Sequence, residues 1–196
     1  MDAAAANAAR AQDAPAVRYQ IFVSSTLCDL VAERRTLLEA LLELQHIPIG
    51  MELFPEANES SWPLIAKVIE SSDYLLLVIG GRYGTRDSKG LGFTEREYRL
   101  AVRLGKPVVA LLHAAPDNLP AGKADRDPDA WRQLQRFRAD VEGRHACGYW
   151  RSDRELRQVF LDCFATTAQR HPAAGWVRRV AAPVTAGATA ADQALR

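Results

Sequence analysis

Three stretches of this chain combine residue types that can hold a phosphate, a sugar or an electron-poor carbon. Ser24-Ser25-Thr26 ends a short apolar run and leads into a helical pattern. Hydroxyls and free N–H groups at such a helix start suit phosphate or ribose oxygens, and simple capping is the other reading. Gly80-Gly81-Arg82-Tyr83-Gly84 follows a longer apolar run. Its glycines let a ligand approach the backbone, arginine forks onto a phosphate, and tyrosine stacks on a base. A turn with a solvated arginine is the alternative. Glu97 lies three residues after Thr94, the spacing of a capping box. A helix N-terminus also favours an ionised carboxylate, the form that attacks or stabilises an oxocarbenium-like carbon. Glu95 is the rival acid, two residues earlier and so on a different side of the helix. Tyr98 either packs in the core or borders the crevice.

Other chemistries are set aside by what is missing. There is no G-x-x-x-x-G-K-[ST] and no G-x-G-x-x-G after the first strand, so neither a P-loop nor a dinucleotide fingerprint is expected. The third strand ends in Gly80 rather than an aspartate, which argues against a phospho-accepting receiver. His46, His113, His145 and His171 are scattered, and His145-x-Cys147 alone does not make a metal site. No metal and no resident cofactor are expected.

The elements that must position these residues can be read from periodicity. The 19–23 run is rich in β-branched and aromatic residues, a strand. Residues 27–44 carry apolar side chains at Leu27, Leu30, Val31, Leu38, Leu41 and Leu42, a helical stripe, with Thr26 and Asp29 spaced as a capping box. A second strand is expected at 47–53, a polar loop at 54–60 and a helix at 62–71 with Pro63 in its first turn. The unbroken apolar runs at 74–79 and 108–112 read as strands covered on both faces. Helices are expected at 95–104, stopped by Gly105 and Pro107, at 128–141 and at 152–167, with an edge strand at 147–150. Residues 1–16 read as a disordered leader, 17–170 as the domain and 171–196 as a flexible tail.

Strands alternating with helices predict right-handed crossovers and a three-layer α/β fold, a five-stranded parallel sheet of flavodoxin-like order 2-1-3-4-5. That order reverses between strands one and three, and ligands bind beyond the strand ends at such a point. The rule selects 24–26 and 80–84 without any further information. Composition agrees with an ordinary soluble domain: 196 residues, 48% apolar, 25% charged, net charge +1. Such a balance points to neither nucleic acid nor a membrane surface. Three cysteines, Cys28, Cys147 and Cys163, without C-x-x-C spacing favour a reducing, cytoplasmic setting.

The string Ile21-Phe22-Val23-Ser24-Ser25-Thr26, followed by Asp29-Leu30 and Glu33-Arg34, resembles the opening of domain-of-unknown-function family 4062. Residues 47–52, 80–84 and 94–98 resemble its later blocks, so the likeness covers roughly residues 18 to 113. The family is similar to TIR-like domains and to nucleoside deoxyribosyltransferases, which implies a TIR-like fold and an immune or signalling context, antiviral defence included. Catalytic TIR domains cleave the nicotinamide–ribose bond of NAD with a glutamate on the helix after strand three. The transferases use a glutamate nucleophile in a block resembling Glu97-Tyr98-Arg99-Leu100-Ala101, followed by Gly105-Lys106-Pro107. The spacing to Gly105 fits Glu97 and not Glu95, so the resemblance implies Glu97 as catalytic. Ser24, Ser25, Thr26, Gly81, Arg82 and Tyr83, already selected by the strand order, would then surround a nucleotide or NAD-like molecule; the transferases carry further acids around the sugar, for which Glu52 and Asp87 are candidates. Three functions remain open: an N-glycosidase, a nucleotide sensor without turnover, and a homotypic adaptor. Self-association is expected in the first and third.

The remaining charged residues read as solvated. Asp29, Glu33 and Arg34 lie on the first predicted helix, where same-helix ion pairs are the favoured reading. The arginines from 132 to 157 alternate with acids and apolar residues, an amphipathic helix pair rather than a nucleic-acid stripe. Trp62 follows the polar loop and either packs under it or mediates self-association.

Overall fold

A run with apolar residues on both parities needs cover on both faces. The computed structural model describes residues 16–50 and 59–179, and it makes Tyr74–Ile79 the central strand β3, buried at every position. On one side of it lie β1 (Gln20–Ser25) and β2 (Ile47–Gly50), and on the other β4 (Val108–His113) and β5 (Cys147–Trp150). The order is β2-β1-β3-β4-β5 and every neighbouring pair is parallel, as the alternation predicts. Among the described residues five α-helices connect and cover the strands: α1 (Val31–Glu43), α2 (Trp62–Ser71), α3 (Phe93–Arg103), α4 (Pro128–Arg144) and α5 (Asp153–Arg170).

The two-residue period of the strands sorts the core into two layers. Phe22, Leu75, Leu77 and Leu112 meet Ile65, Tyr98 and Phe137 from α2, α3 and α4. Ile21, Val23, Leu76 and Leu111 meet Leu37, Leu41 and Phe160 from α1 and α5. Each such side chain contributes about 1.5–3 kcal/mol by leaving water. The result is the three-layer α/β fold, with its reversal between β1 and β3.

Two local readings are corrected, and both bear on the site. β1 runs on through Ser24 and Ser25, which pair in register with Leu77 and Val78 of β3. The serines are therefore sheet residues and do not open a helix. Next, α1 begins only at Val31, capped by Leu30 with no side-chain hydrogen bond, so Thr26 and Asp29 form no capping box. Leu27 and Val31 are exposed, and the buried face of α1 is Glu33, Arg34, Leu37, Ala40 and Leu41. Apolar spacing that continues through an irregular stretch imitates a helix, and the charged pair Glu33–Arg34 hid the true inner face.

The compact unit spans Val17–Trp176. Beyond α5 the chain returns to the first strand, where Arg18 and Trp176 exchange backbone hydrogen bonds of 2.8 and 2.6 Å. Residues 1–15 and 180–196, holding nearly all of the expected leader and much of the expected tail, lie outside the described residues. So do 51–58, which include Glu52 and most of the expected polar loop.

Candidate functional site

Beyond the ends of β1 and β3 lies a cavity of about 260 Å³. The 25–29 stretch, the loop after β3 and the start of α3 form its walls, and Glu97 lies among its lining residues. α3 starts at Phe93 with Gly92 as its cap, so Thr94 is inside the helix and no capping box forms. Instead Thr94, Glu97 and Ala101 recur at three- and four-residue spacing and share the buried face. Glu97 reaches across to the sheet and accepts a 2.5 Å hydrogen bond from the Ser24 hydroxyl.

This carboxyl is only 2% exposed. Burial pushes its pKa up to about 7, against the lowering effects of the Ser24 hydroxyl and the Arg34 charge. Near neutral pH it is therefore poised between its two protonation states, which suits acid–base or nucleophilic work. Arg34, 3% exposed, donates through Nη1 to Ser25 Oγ at 2.7 Å and to the Val23 carbonyl at 3.3 Å. Ser25 in turn donates to the Thr26 carbonyl at 2.7 Å. Both serines thus brace the end of β1: Ser24 positions Glu97, and Ser25 at the cavity wall is held by Arg34.

The glycine loop divides its members between site and core. Arg82 lines the cavity, its Nε 3.4 Å from Asp125 Oδ1. Tyr83 turns inward instead. It is 4% exposed, donates to Glu95 Oε2 at 2.6 Å and accepts from the Gly92 N–H at 3.0 Å. Burial, then the Glu95 hydrogen bond, pushes its pKa up to about 12. Glu95 also pairs with Arg99 at 2.5 Å, so this rival acid serves the loop and stays out of the cavity lining. Gly81 is required by packing: a Cβ there would meet the Lys123 carbonyl at 2.6 Å. Gly84, at φ +84°, lies where a Cβ would strike Thr26 Cγ2 at 2.6 Å.

Tyr98 belongs to the core, 1% exposed, with its hydroxyl 3.1 Å from His145 Nε2 and its ring tilted against Phe137. It borders a second, larger groove of about 910 Å³, away from Glu97. In that groove Asp87 pairs with Arg96 and Asp140 with Arg144, so its acids are committed to ion pairs. Trp62 lies there beneath the Arg96 guanidinium, 3.9 Å from the ring centroid.

Sequence reasoning missed two contributions. Asp29 and Arg34, read as solvated, are each 3% exposed. Asp29 lines the cavity beside Thr26. Burial raises the Asp29 carboxyl above its ordinary value, opposed in part by hydrogen bonds from the Thr26 side chain and its own backbone N–H, and then by the Arg82 charge. The other omission is the segment after β4. Asp125 accepts from the Tyr83 N–H at 2.6 Å and holds Arg82, while Lys123 pairs with Glu33 at 2.5 Å. An aspartate that follows an irregular stretch and precedes a capped helix carries no periodic signal.

These features define a doubly wound α/β protein with a buried carboxylate at its topological switch point. Residues 20–162 match the family described as Domain of unknown function (DUF4062), and the chain belongs to that family. No curated protein matches the chain. Among the described residues no group of three or more His, Cys, Asp or Glu is placed to hold a metal ion, and no helix is long and apolar enough to cross a membrane.

Proposed function

We propose that this chain is a nucleotide-processing domain, in a defence or signalling context, that cleaves the N-glycosidic bond of NAD or a related nucleotide. The observation that carries this reading is the buried Glu97 carboxyl in the switch-point cavity, with a pKa near 7 and a short hydrogen bond from Ser24. In its ionised form it stabilises or attacks the ribose C1′. The nicotinamide leaves with the electron pair of the C–N bond and becomes neutral, so no acid is needed to expel it. Water then supplies the hydroxyl at C1′, and its proton passes to solvent. Arg82 faces the pyrophosphate. Tyr83 is committed to Glu95, which leaves Phe93, a cavity-lining aromatic, to flank the base.

Concentrated protein incubated with NAD, NADP and nucleosides should release free base, read by chromatography. High concentration matters because the resemblance to TIR-like domains implies assembly before turnover. A second reading, a sensor that binds without cleaving, is favoured by the enclosure of Glu97, 2% exposed. Tight nucleotide binding with no base released supports the sensor.

Ser24→Ala separates positioning from mere packing. The serine hydroxyl lowers the Glu97 pKa, so its loss raises that pKa further. Release at pH 7 is expected to fall about tenfold and to recover at higher pH, since one hydrogen bond to a carboxylate is worth roughly one or two decades of ionisation. A uniform loss across the pH range would contradict a role through Glu97.

A further inference from the structure

A guanidinium already pinned in place binds a phosphate with less loss of side-chain freedom than a mobile one. Arg96 is pinned in this way in the larger groove, away from Glu97. Its Cζ lies 3.9 Å from the Trp62 ring centroid, and its Nη1 lies 3.4 Å from Asp87 Oδ2. Asp87 is itself fixed, because its Oδ1 accepts from the Lys89 and Leu91 N–H groups at 2.9 Å each. Arg96, Arg99 and Arg103 recur at three- and four-residue spacing and share one face of α3. Lys89 from the loop and Arg144 from α4 bring the cations around the groove to five.

Among the described residues three carboxylates answer them: Asp87, Asp140 and, on Arg99, Glu95. The surplus of positive charge falls on Lys89 and Arg103, which are exposed and pair with no carboxylate among the described residues. A pinned guanidinium with two further separated cations matches linked phosphates better than a single carboxylate. The groove holds about 910 Å³, and sites for whole small molecules run to roughly 300–1,000 Å³. It shares no lining residue with the Glu97 cavity, and its carboxylates are held in ion pairs, which suits binding rather than catalysis. We infer that this groove is a second ligand site, for a small molecule with two or more linked phosphates, with Arg96 as the fixed anchor and Lys89 and Arg103 on the further phosphates. The apolar wall at Leu91 and Val102 takes an organic group, such as a nucleoside, where the ligand carries one. The site stands or falls separately from Glu97.

The test is calorimetric titration with inorganic triphosphate and with ATP at low ionic strength. Wild type is expected to bind both, and more weakly as salt is raised, because the outer cations are exposed. Tighter binding of ATP marks a nucleotide as the ligand and equal binding marks the polyphosphate alone; either supports the site. Lys89→Glu combined with Arg103→Glu is expected to weaken both ligands about tenfold or more, since charged hydrogen bonds are lost and the sign of the rim is reversed. Both side chains are exposed, so this variant should keep the melting temperature of wild type and its rate of any base release. Should it fail to fold, Arg103→Ala alone should weaken triphosphate several-fold. Arg82→Ala, which alters the switch-point cavity, and Glu97→Gln should both bind as wild type does. Unchanged affinity in the groove variants, or binding lost in Arg82→Ala, overturns the site. No binding of either ligand by wild type at millimolar concentration overturns it as well. So does an oligonucleotide that binds much more tightly than ATP, which would make the groove a nucleic-acid surface.

Discussion

Glu97→Gln is expected to yield a folded protein that is more stable than wild type at pH 8 and no more stable at pH 4. The folded carboxyl has its pKa raised from 4.5 to about 7 by burial. Between those values the native state holds a proton that the unfolded chain has released. Stability from this group therefore falls as pH rises through the window, and is lowest above 7. The full penalty is about 3 kcal/mol at 1.36 kcal/mol per decade. Glutamine keeps the shape and still accepts the Ser24 hydroxyl, but it has no charge to desolvate. Urea unfolding between pH 4 and 8 should show the variant losing this slope. Parallel curves for the two proteins would show that Glu97 is not perturbed. A lost slope would mean that the natural residue is kept at a cost in stability, as a group retained for chemistry would be.

Arg34→Leu is expected to destabilise the domain by about 2–3 kcal/mol, because buried hydrogen bonds from a charged group are lost together. The guanidinium holds Ser25 Oγ and the Val23 carbonyl at the end of β1, and its charge keeps the Glu97 pKa from rising further. Any base release in the variant should therefore shift to higher pH. Urea midpoints give the first effect and a pH profile of release the second. A variant with wild-type stability would show that Arg34 does not brace the switch point.

The fold was legible because its strongest signals are local. β3 and β4 are apolar at every position, which specifies cover on both faces, and the intervening helices then force parallel pairing. The position of the crevice followed from strand order alone. What resisted reading was tertiary. Leu27 and Leu30 continue the spacing of α1 into a stretch that is not helical, and only Leu30 is buried. Asp29 and Arg34 are charged residues beside a helix, and the default for such residues is solvent. Their burial depends on Glu97 of α3 and on Gly80 just after β3, more than forty residues away in the chain. Tyr83 has the composition of a ligand contact, yet its hydroxyl is taken by Glu95 and the Gly92 N–H. The 119–125 segment over the glycine loop has no periodicity at all, so Asp125 could not be anticipated.

The most direct measurement is base release from NAD across pH 5 to 9, by wild type and Glu97→Gln at the same high protein concentration. Wild type should release nicotinamide with a rate that rises through a midpoint near 7, as Glu97 ionises. Glu97→Gln should lose release by about 10³-fold. Release that persists in Glu97→Gln, with the same pH profile, would contradict the assignment of this carboxylate to the glycosidic bond.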